Sequence, residues 1–176
     1  MALLDAGLGR VSLPSIVKRR GCDLNPLGLG DENAVQRLRY FIWPDRLDRS
    51  AILDSALALA APVGVEIDRA EAADWVILQL ERRAEGVAAV VFHSALWQYL
   101  SAGSRQRMAS TLEQAGERTD DATPLAYLRF EPEAGIRGFE LRLTCWPGGS
   151  ALLLATADPH GRSVRLVDVP GLGGRE

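Results

Sequence analysis

The feature that most constrains the fold is the uninterrupted apolar run from Val87 to Phe92, which is rich in β-branched residues. A run of this length, placed between Gly86 and the pair His93-Ser94, is typical of a strand whose two faces are both covered. Such strands belong to parallel sheets, because the helices that connect parallel strands lie on both faces. The run therefore predicts a core strand of an α/β fold.

Helical and strand-like segments alternate along the rest of the chain. One predicted helix is capped by Asp31 or Asn33 and ends at Ile42, and the next covers 47–60. A third ends at about Ala84, and a further one covers 101–115 with Ser101 or Ser104 as its cap. Further strands are predicted at 63–67, 124–130, 139–146, 150–157 and 164–169. Segment 139–146 alternates apolar and polar residues and is followed by Pro-Gly-Gly, which predicts a terminal antiparallel hairpin. The order predicts a Rossmann-like, three-layer α/β sandwich with a mostly parallel sheet and that hairpin at its end.

The segment 21–26, Gly-Cys-Asp-Leu-Asn-Pro, places an acid at the end of a predicted strand. Pro26 cannot donate a backbone hydrogen bond, so the strand that begins near Ile16 should end here. Open α/β sheets bind ligands at the carboxyl ends of their strands, where Asp23 is expected to lie. The alternative is that Asp23 caps the following turn, and the local sequence leaves both interpretations open.

Size and composition limit the classes of function. A chain of 176 residues, 47% apolar, predicts one domain over 1–170 and a flexible tail at 171–176. The net charge of −3, without a basic stripe, argues against a nucleic-acid partner. No apolar run suits a membrane span and no signal peptide is recognisable, so we expect a cytoplasmic protein. Cys22 and Cys145 are predicted to be small buried hydrophobes, and no residue spacing suggests a metal site.

Six segments are together similar to the C-terminal part of one bacterial family. They are Gly-Cys-Asp-Leu-Asn-Pro-Leu (21–27), Phe-Ile-Trp-Pro-Asp (41–45), Ala-Ala-Asp-Trp (72–75), Val-Val-Phe-His-Ser-Ala-Leu-Trp-Gln-Tyr-Leu (90–100), Pro-Leu-Ala-Tyr-Leu-Arg (124–129) and Leu-Arg-Leu-Thr-Cys-Trp-Pro-Gly-Gly (141–149). With them the chain resembles domain of unknown function 2332, an uncharacterised family. Its longer members resemble class I methyltransferases that use S-adenosylmethionine, and no reaction is established for them.

The resemblance implies roles for residues at the ends of the predicted strands. Asp23, with Asn25 beside it, would bind the ribose hydroxyls of an adenosine-type cofactor, because a carboxylate accepts two hydrogen bonds side by side. Asp68 or Glu71 would lie at the adenine edge. His93 and Ser94 would face the methyl acceptor, with a neutral His93 able to take a proton near pH 7. The substrate pocket would be lined by Trp97, Gln98 and Tyr99.

The chain departs from the family at the cofactor's glycine-rich turn. At the place of that turn the sequence offers Leu3-Leu4-Asp5-Ala6-Gly7-Leu8-Gly9, and six residues separate Gly9 from the strand that begins near Ile16. A parallel crossover needs about ten to twelve residues or more, so the helix that cradles the cofactor does not fit. The first strand-helix unit is therefore expected to be missing or degenerate. The sequence thus lacks a complete motif for binding S-adenosylmethionine.

Two hypotheses of different class follow. In one, the chain is a methyltransferase-like domain that retains an adenosine pocket and acts on an unknown small molecule. In the other, it is a non-catalytic Rossmann-like module for binding or assembly. The first strand is central in the fold that the chain resembles, so its loss leaves an unpaired edge in mid-sheet. We therefore expect a homodimer or a separate N-terminal half as partner.

Overall fold

The computed structural model describes residues 14–64, 66–133, 138–159 and 162–168. The chain divides into two compact units, Met1–Ala72 and Ala73–Glu176. The single domain predicted over 1–170 stays a prediction. The Gly7-Leu8-Gly9 stretch, the proposed degenerate first strand and the tail at 171–176 lie outside the described residues.

The first unit contains a two-stranded parallel sheet and two helices. Strand β1 (Arg20–Asp23) pairs with β2 (Glu66–Arg69). Between them lie helix α1 (Glu32–Tyr40), helix α2 (Leu47–Ala60) and a short 3-10 turn at Ala61–Val63. Asp31 caps α1 by accepting a 2.9 Å hydrogen bond from the Asn33 amide, which confirms Asp31 as the cap. Because the 3-10 turn continues past α2, the second strand begins later than the predicted Val63.

The second unit is a five-stranded sheet with two helices. Helix α3 (Ala72–Leu80) leads into it, and α4 (Ala102–Glu117) is capped by the Ser101 side chain. The strands are β3 (Ala89–Ser94), β4 (Leu125–Pro132), β5 (Phe139–Trp146), β6 (Ala151–Ala157) and β7 (Val164–Leu166), and they lie side by side in that order. The predicted hairpin is confirmed, since β5 and β6 are antiparallel neighbours.

The mixed α/β fold is confirmed, but the prediction of a mostly parallel sheet is not supported, because the five-stranded sheet is mostly antiparallel. In the five-stranded sheet only β3 and β4 are parallel, whereas the pairs β4–β5, β5–β6 and β6–β7 are antiparallel. The reason is the length of the connections. A parallel pair needs a crossover of a dozen or more residues, which α4 supplies between β3 and β4, whereas short connections join the later strands.

The core of the second unit lies on one face of its sheet, which we call the inner face. Both helices pack there, through the buried residues Ala73, Val76, Leu80, Met108, Leu112 and Ala115. The sheet contributes alternate residues, Ala89, Val91, Leu125, Tyr127 and Trp146. The opposite, outer face carries Val90, Phe92, Ala126, Leu128, Phe130, Leu141, Leu143 and Cys145 by the strand register. In the described part of this unit, neither helix covers the outer face.

Two burial predictions are corrected by this one-sided packing. β3 was expected to be covered on both faces, yet Val90 is 58% and Phe92 75% exposed. Cys145, expected to be buried, is an exposed free thiol on the outer face, and Cys22 is a half-buried one. The hydrophobic pattern predicts β3 correctly as a strand, but the two described helices of its own unit do not cover its outer face.

Gly116 in α4 provides a test of the inner-face packing. A Cβ atom built on Gly116 overlaps the Trp146 indole ring, whereas one on Gly103 in the same helix meets no atom closer than 3.7 Å. We predict that Gly116→Ala lowers the free energy of unfolding by about 1 to 3 kcal/mol through overpacking. Gly103→Ala should raise it by about 0.5 kcal/mol by reducing the entropy of the unfolded chain. Urea denaturation measures both, and equal effects of the two variants would contradict this packing.

Candidate functional site

The candidate site lies where the parallel strands β3 and β4 end. His93 is the fifth residue of β3, and Glu131 is the seventh residue of β4. His93 pairs in register with Arg129, so Glu131 stands two residues further along on the same face. The side chains of His93 and Glu131 are only 7% and 9% exposed. The topology therefore brings a buried imidazole and a buried carboxylate into contact.

Both ring nitrogens of His93 are engaged by protein groups. Nδ1 lies 2.6 Å from Glu131 Oε1, and Nε2 lies 2.7 Å from the Tyr127 hydroxyl. The Trp97 indole stacks on the imidazole with the ring centroids 5.8 Å apart and the planes inclined by 7°. A neutral ring satisfies both contacts when Nδ1–H donates to the carboxylate and the Tyr127 hydroxyl donates to Nε2.

The Glu131 carboxylate also fixes the turn that follows β3. It accepts hydrogen bonds from the backbone amides of Leu96, at 2.8 Å, and Trp97, at 3.2 Å. The turn contains Ala95 with φ +52°, a left-handed conformation that is uncommon outside glycine. Such a conformation persists only where its surroundings hold it in place, and the three donors to Glu131 come from residues on either side of Ala95. Glu131 is thus the anchor of the site, and we call Glu131 together with His93, Tyr127 and Trp97 the Glu131 cluster.

Burial sets the protonation states in this cluster. It lowers the pKa of His93 below its ordinary value, against the opposing effect of the Glu131 carboxylate. Burial also raises the pKa of Tyr127 to about 12. At pH 7 the imidazole is therefore neutral and the phenol is protonated, which matches the hydrogen bonds described above. While these contacts hold, neither nitrogen is available to an external molecule, so catalysis by His93 stays a prediction.

The other residues predicted to lie with His93 at the end of β3 are placed differently. Ser94, Gln98 and Tyr99 are exposed, with Tyr99 80% exposed, whereas Trp97 is half-buried against His93. The structure brings His93 and Trp97 together, and it leaves Ser94, Gln98 and Tyr99 at the surface. Their roles as catalytic or pocket residues stay predictions.

The residues predicted to bind a cofactor belong to the first unit. The Asp23 carboxylate accepts a 2.7 Å hydrogen bond from the Asn25 amide, as the turn-capping interpretation predicts, and Arg69 donates to the Asn25 side chain. Asp68 forms a 2.6 Å ion pair with Arg20, and Glu71 is half-buried. Asp23 remains exposed at the carboxyl end of β1. Ribose binding by Asp23 and adenine binding by Asp68 or Glu71 stay predictions.

Sequence reasoning missed Glu131 and Tyr127. The predicted strand ended at Phe130, so Glu131 was assigned to no element. A signal was nevertheless present, because Glu131 directly follows one predicted strand and His93 directly follows another. The carboxyl ends of adjacent parallel strands meet at one edge of a sheet, where such a pair of side chains comes together.

Comparison with known proteins shows to which family the chain belongs. The chain belongs to the family described as "Uncharacterized protein conserved in bacteria (DUF2332)", which matches residues 4–165. The predicted family is confirmed, and the resemblance to methyltransferases is not shown by this match. No curated protein and no solved structure matches the chain. Among the described residues, no helix is long and apolar enough to cross a membrane. A cytoplasmic location stays a prediction.

The anchoring role of Glu131 is testable by a single substitution. Glu131→Gln removes the negative charge and replaces one acceptor oxygen by a donating NH2 group. Either the Trp97 amide or the donors of His93 and Leu96 then face that NH2 group, because His93 and Leu96 share one oxygen and Trp97 uses the other. We predict a loss of about 2 to 4 kcal/mol in the free energy of unfolding. The same change at exposed Glu113 in α4 should alter it by less than about 0.5 kcal/mol. Urea denaturation of both variants decides the point, and a Glu131→Gln protein as stable as wild type would contradict the role.

Proposed function

We propose that this chain is a non-catalytic assembly module whose second unit is completed by a strand from another polypeptide. The observation that carries the proposal is the backbone edge of β3 that faces away from β4, which we call the open edge. In the described part of the chain, β3 is hydrogen-bonded to β4 alone and stands at the end of the sheet. A row of unpaired backbone groups in an apolar strand is a template for pairing with a further strand.

The direction of each backbone group in β3 follows from two hydrogen bonds. The Ala89 amide donates to Pro124 O at 2.9 Å, and the Ala95 amide donates to Phe130 O at 3.0 Å. Backbone groups alternate along a strand, so the odd-numbered residues face β4 and the even-numbered ones face outward. The amides and carbonyls of Val90, Phe92 and Ser94 therefore line the open edge.

The outer face supports the same conclusion. Val90 and Phe92 project from β3 onto this face and are largely exposed, although both are apolar. In strand addition, main-chain hydrogen bonds provide affinity and alternate side chains provide specificity. Both kinds of group are present together on β3. The engaged nitrogens of His93 favour an anchoring role over catalysis, since the Glu131 cluster holds the carboxyl end of the same strand in place.

Site-specific crosslinking in the producing bacterium tests this function. With the photoreactive residue p-benzoylphenylalanine in place of Phe92, we predict a crosslinked polypeptide adduct, because that side chain lies beside the open edge. The same residue at position 165 serves as the control, since it lies on the three-residue β7 at the opposite end of the sheet. No adduct from position 92, or equal adducts from both positions, would contradict the proposal.

A second candidate function is supported by the first unit. We propose as the alternative that a truncated, methyltransferase-like Rossmann fold binds an adenosine-type ligand, with S-adenosylmethionine the first to test. The supporting observation is an exposed carboxylate, Asp23, at the carboxyl end of the parallel pair β1–β2. Asp23 suits a ribose diol. Its Oδ1 accepts one hydrogen bond from the Asn25 amide, and a carboxylate has further acceptor sites that could bind the two hydroxyls. Asp68 suits the adenine role less well, since Arg20 already occupies one of its oxygens.

Isothermal titration tests this alternative. If it holds, S-adenosylmethionine or S-adenosylhomocysteine binds the purified chain with a micromolar Kd, and Asp23→Ala abolishes the heat because the ribose contact is lost. Asp45→Ala, which removes an exposed acid of the same unit, should leave binding unchanged. No heat at millimolar ligand, or equal binding by both variants, would exclude a ribose site at Asp23.

A further inference from the structure

We infer that the polypeptide completing the sheet is a second copy of this chain, with β3 of each copy pairing antiparallel across a twofold axis. The inference rests on the proposed function, because it identifies the occupant of the same open edge. Two observations support it: the distribution of charged residues among the edge strands, and the fact that pairing of β3 with itself ends at two copies.

The described strands present four sheet edges, and β3 alone carries no residue that is charged at pH 7. The residues of β3 are Ala, Val, Val, Phe, His and Ser, and burial keeps the histidine neutral. The other edge strands carry Arg20 and Asp23 in β1, Glu66, Asp68 and Arg69 in β2, and Arg165 in β7. Proteins use charge and short length to prevent unwanted pairing at an edge. Those devices are present on β1, β2 and β7, and they are missing on β3.

The partner that matches an uncharged edge best is another uncharged edge. Two copies of β3 brought together antiparallel place no like charges opposite each other, and their outward amides and carbonyls are complementary. Val90 and Phe92 then become cross-strand neighbours of apolar residues from the second copy. Pairing between β-branched and aromatic side chains is favourable in antiparallel sheets.

The geometry also limits the assembly to two copies. Pairing of β3 with β3 uses the same patch on both partners, so it closes at a dimer. The continuous sheet then ends on β7 at both sides, and β7 has three residues and carries Arg165. Pairing of β3 with a different edge would instead leave an open β3 at the end of every chain and would grow into filaments.

Sedimentation velocity of the purified chain over roughly a hundredfold range of concentration tests the inference by mass action. We expect a dimer for wild type. Val90→Pro removes an outward amide without touching the bonds to β4, and should weaken dimerisation at least tenfold. Val90→Thr keeps the amide and the β-branched shape, and should remain dimeric.

Circular dichroism checks that each variant folds. If Val90→Pro does not fold, Val90→Lys replaces it, since two lysines would then repel across the axis.

The outcomes separate the two proposals. A monomeric wild type, or a dimer that Val90→Pro and Val90→Lys both leave intact, overturns the second-copy inference. A monomeric chain that nevertheless crosslinks from position 92 to a different polypeptide overturns this inference and leaves the assembly function standing. A monomeric chain without any adduct from position 92 overturns both.

Discussion

Among the described residues, strand β3 is hydrogen-bonded to β4 on one side only, and the organisation of the second unit depends on this constraint. Its inward backbone groups bond to β4, and its inner-face residues Ala89 and Val91 pack in the core with α3 and α4. Its outward backbone groups bond to no other described strand, and its outer-face residues Val90 and Phe92 are 58% and 75% exposed. Apolar strands of this composition normally have both faces covered, and the assembly that we propose would supply this cover to β3.

The Glu131 cluster explains how the carboxyl end of β3 is held in place, although β4 is its one neighbour among the described strands. A buried carboxylate is costly unless it is hydrogen-bonded, and Glu131 accepts from His93, Leu96 and Trp97. These contacts join the ends of β3 and β4 and hold the left-handed Ala95 between them. A histidine at a strand end, which first suggests proton transfer, thereby stabilises the edge that we propose for assembly.

The sequence predicted those elements that local chemistry determines. Each of two helix starts was predicted to within two alternative caps, of which the structure uses Asp31 and Ser101. The Pro-Gly-Gly turn and the alternating strand before it identified the hairpin. Hydrophobicity identified β3 as a strand, but it could not show that only one face is covered, because coverage depends on other elements. The antiparallel direction of β5–β6 was predicted correctly, whereas the antiparallel pairing of β4 with β5 was not predicted, because no connecting geometry was assigned to that pair. The His93–Glu131 contact joins residues 38 positions apart and depends on strand register, which local patterns do not reveal.

Amide hydrogen exchange along β3, followed by nuclear magnetic resonance as a function of protein concentration, tests the central claim most directly. The inward amides of Val91 and His93 should be protected at every concentration, because they face β4. The account predicts that protection of the outward amides of Val90 and Phe92 rises with concentration as the edge becomes paired. Outward amides that exchange at the rate of an unpaired chain at every concentration would contradict it.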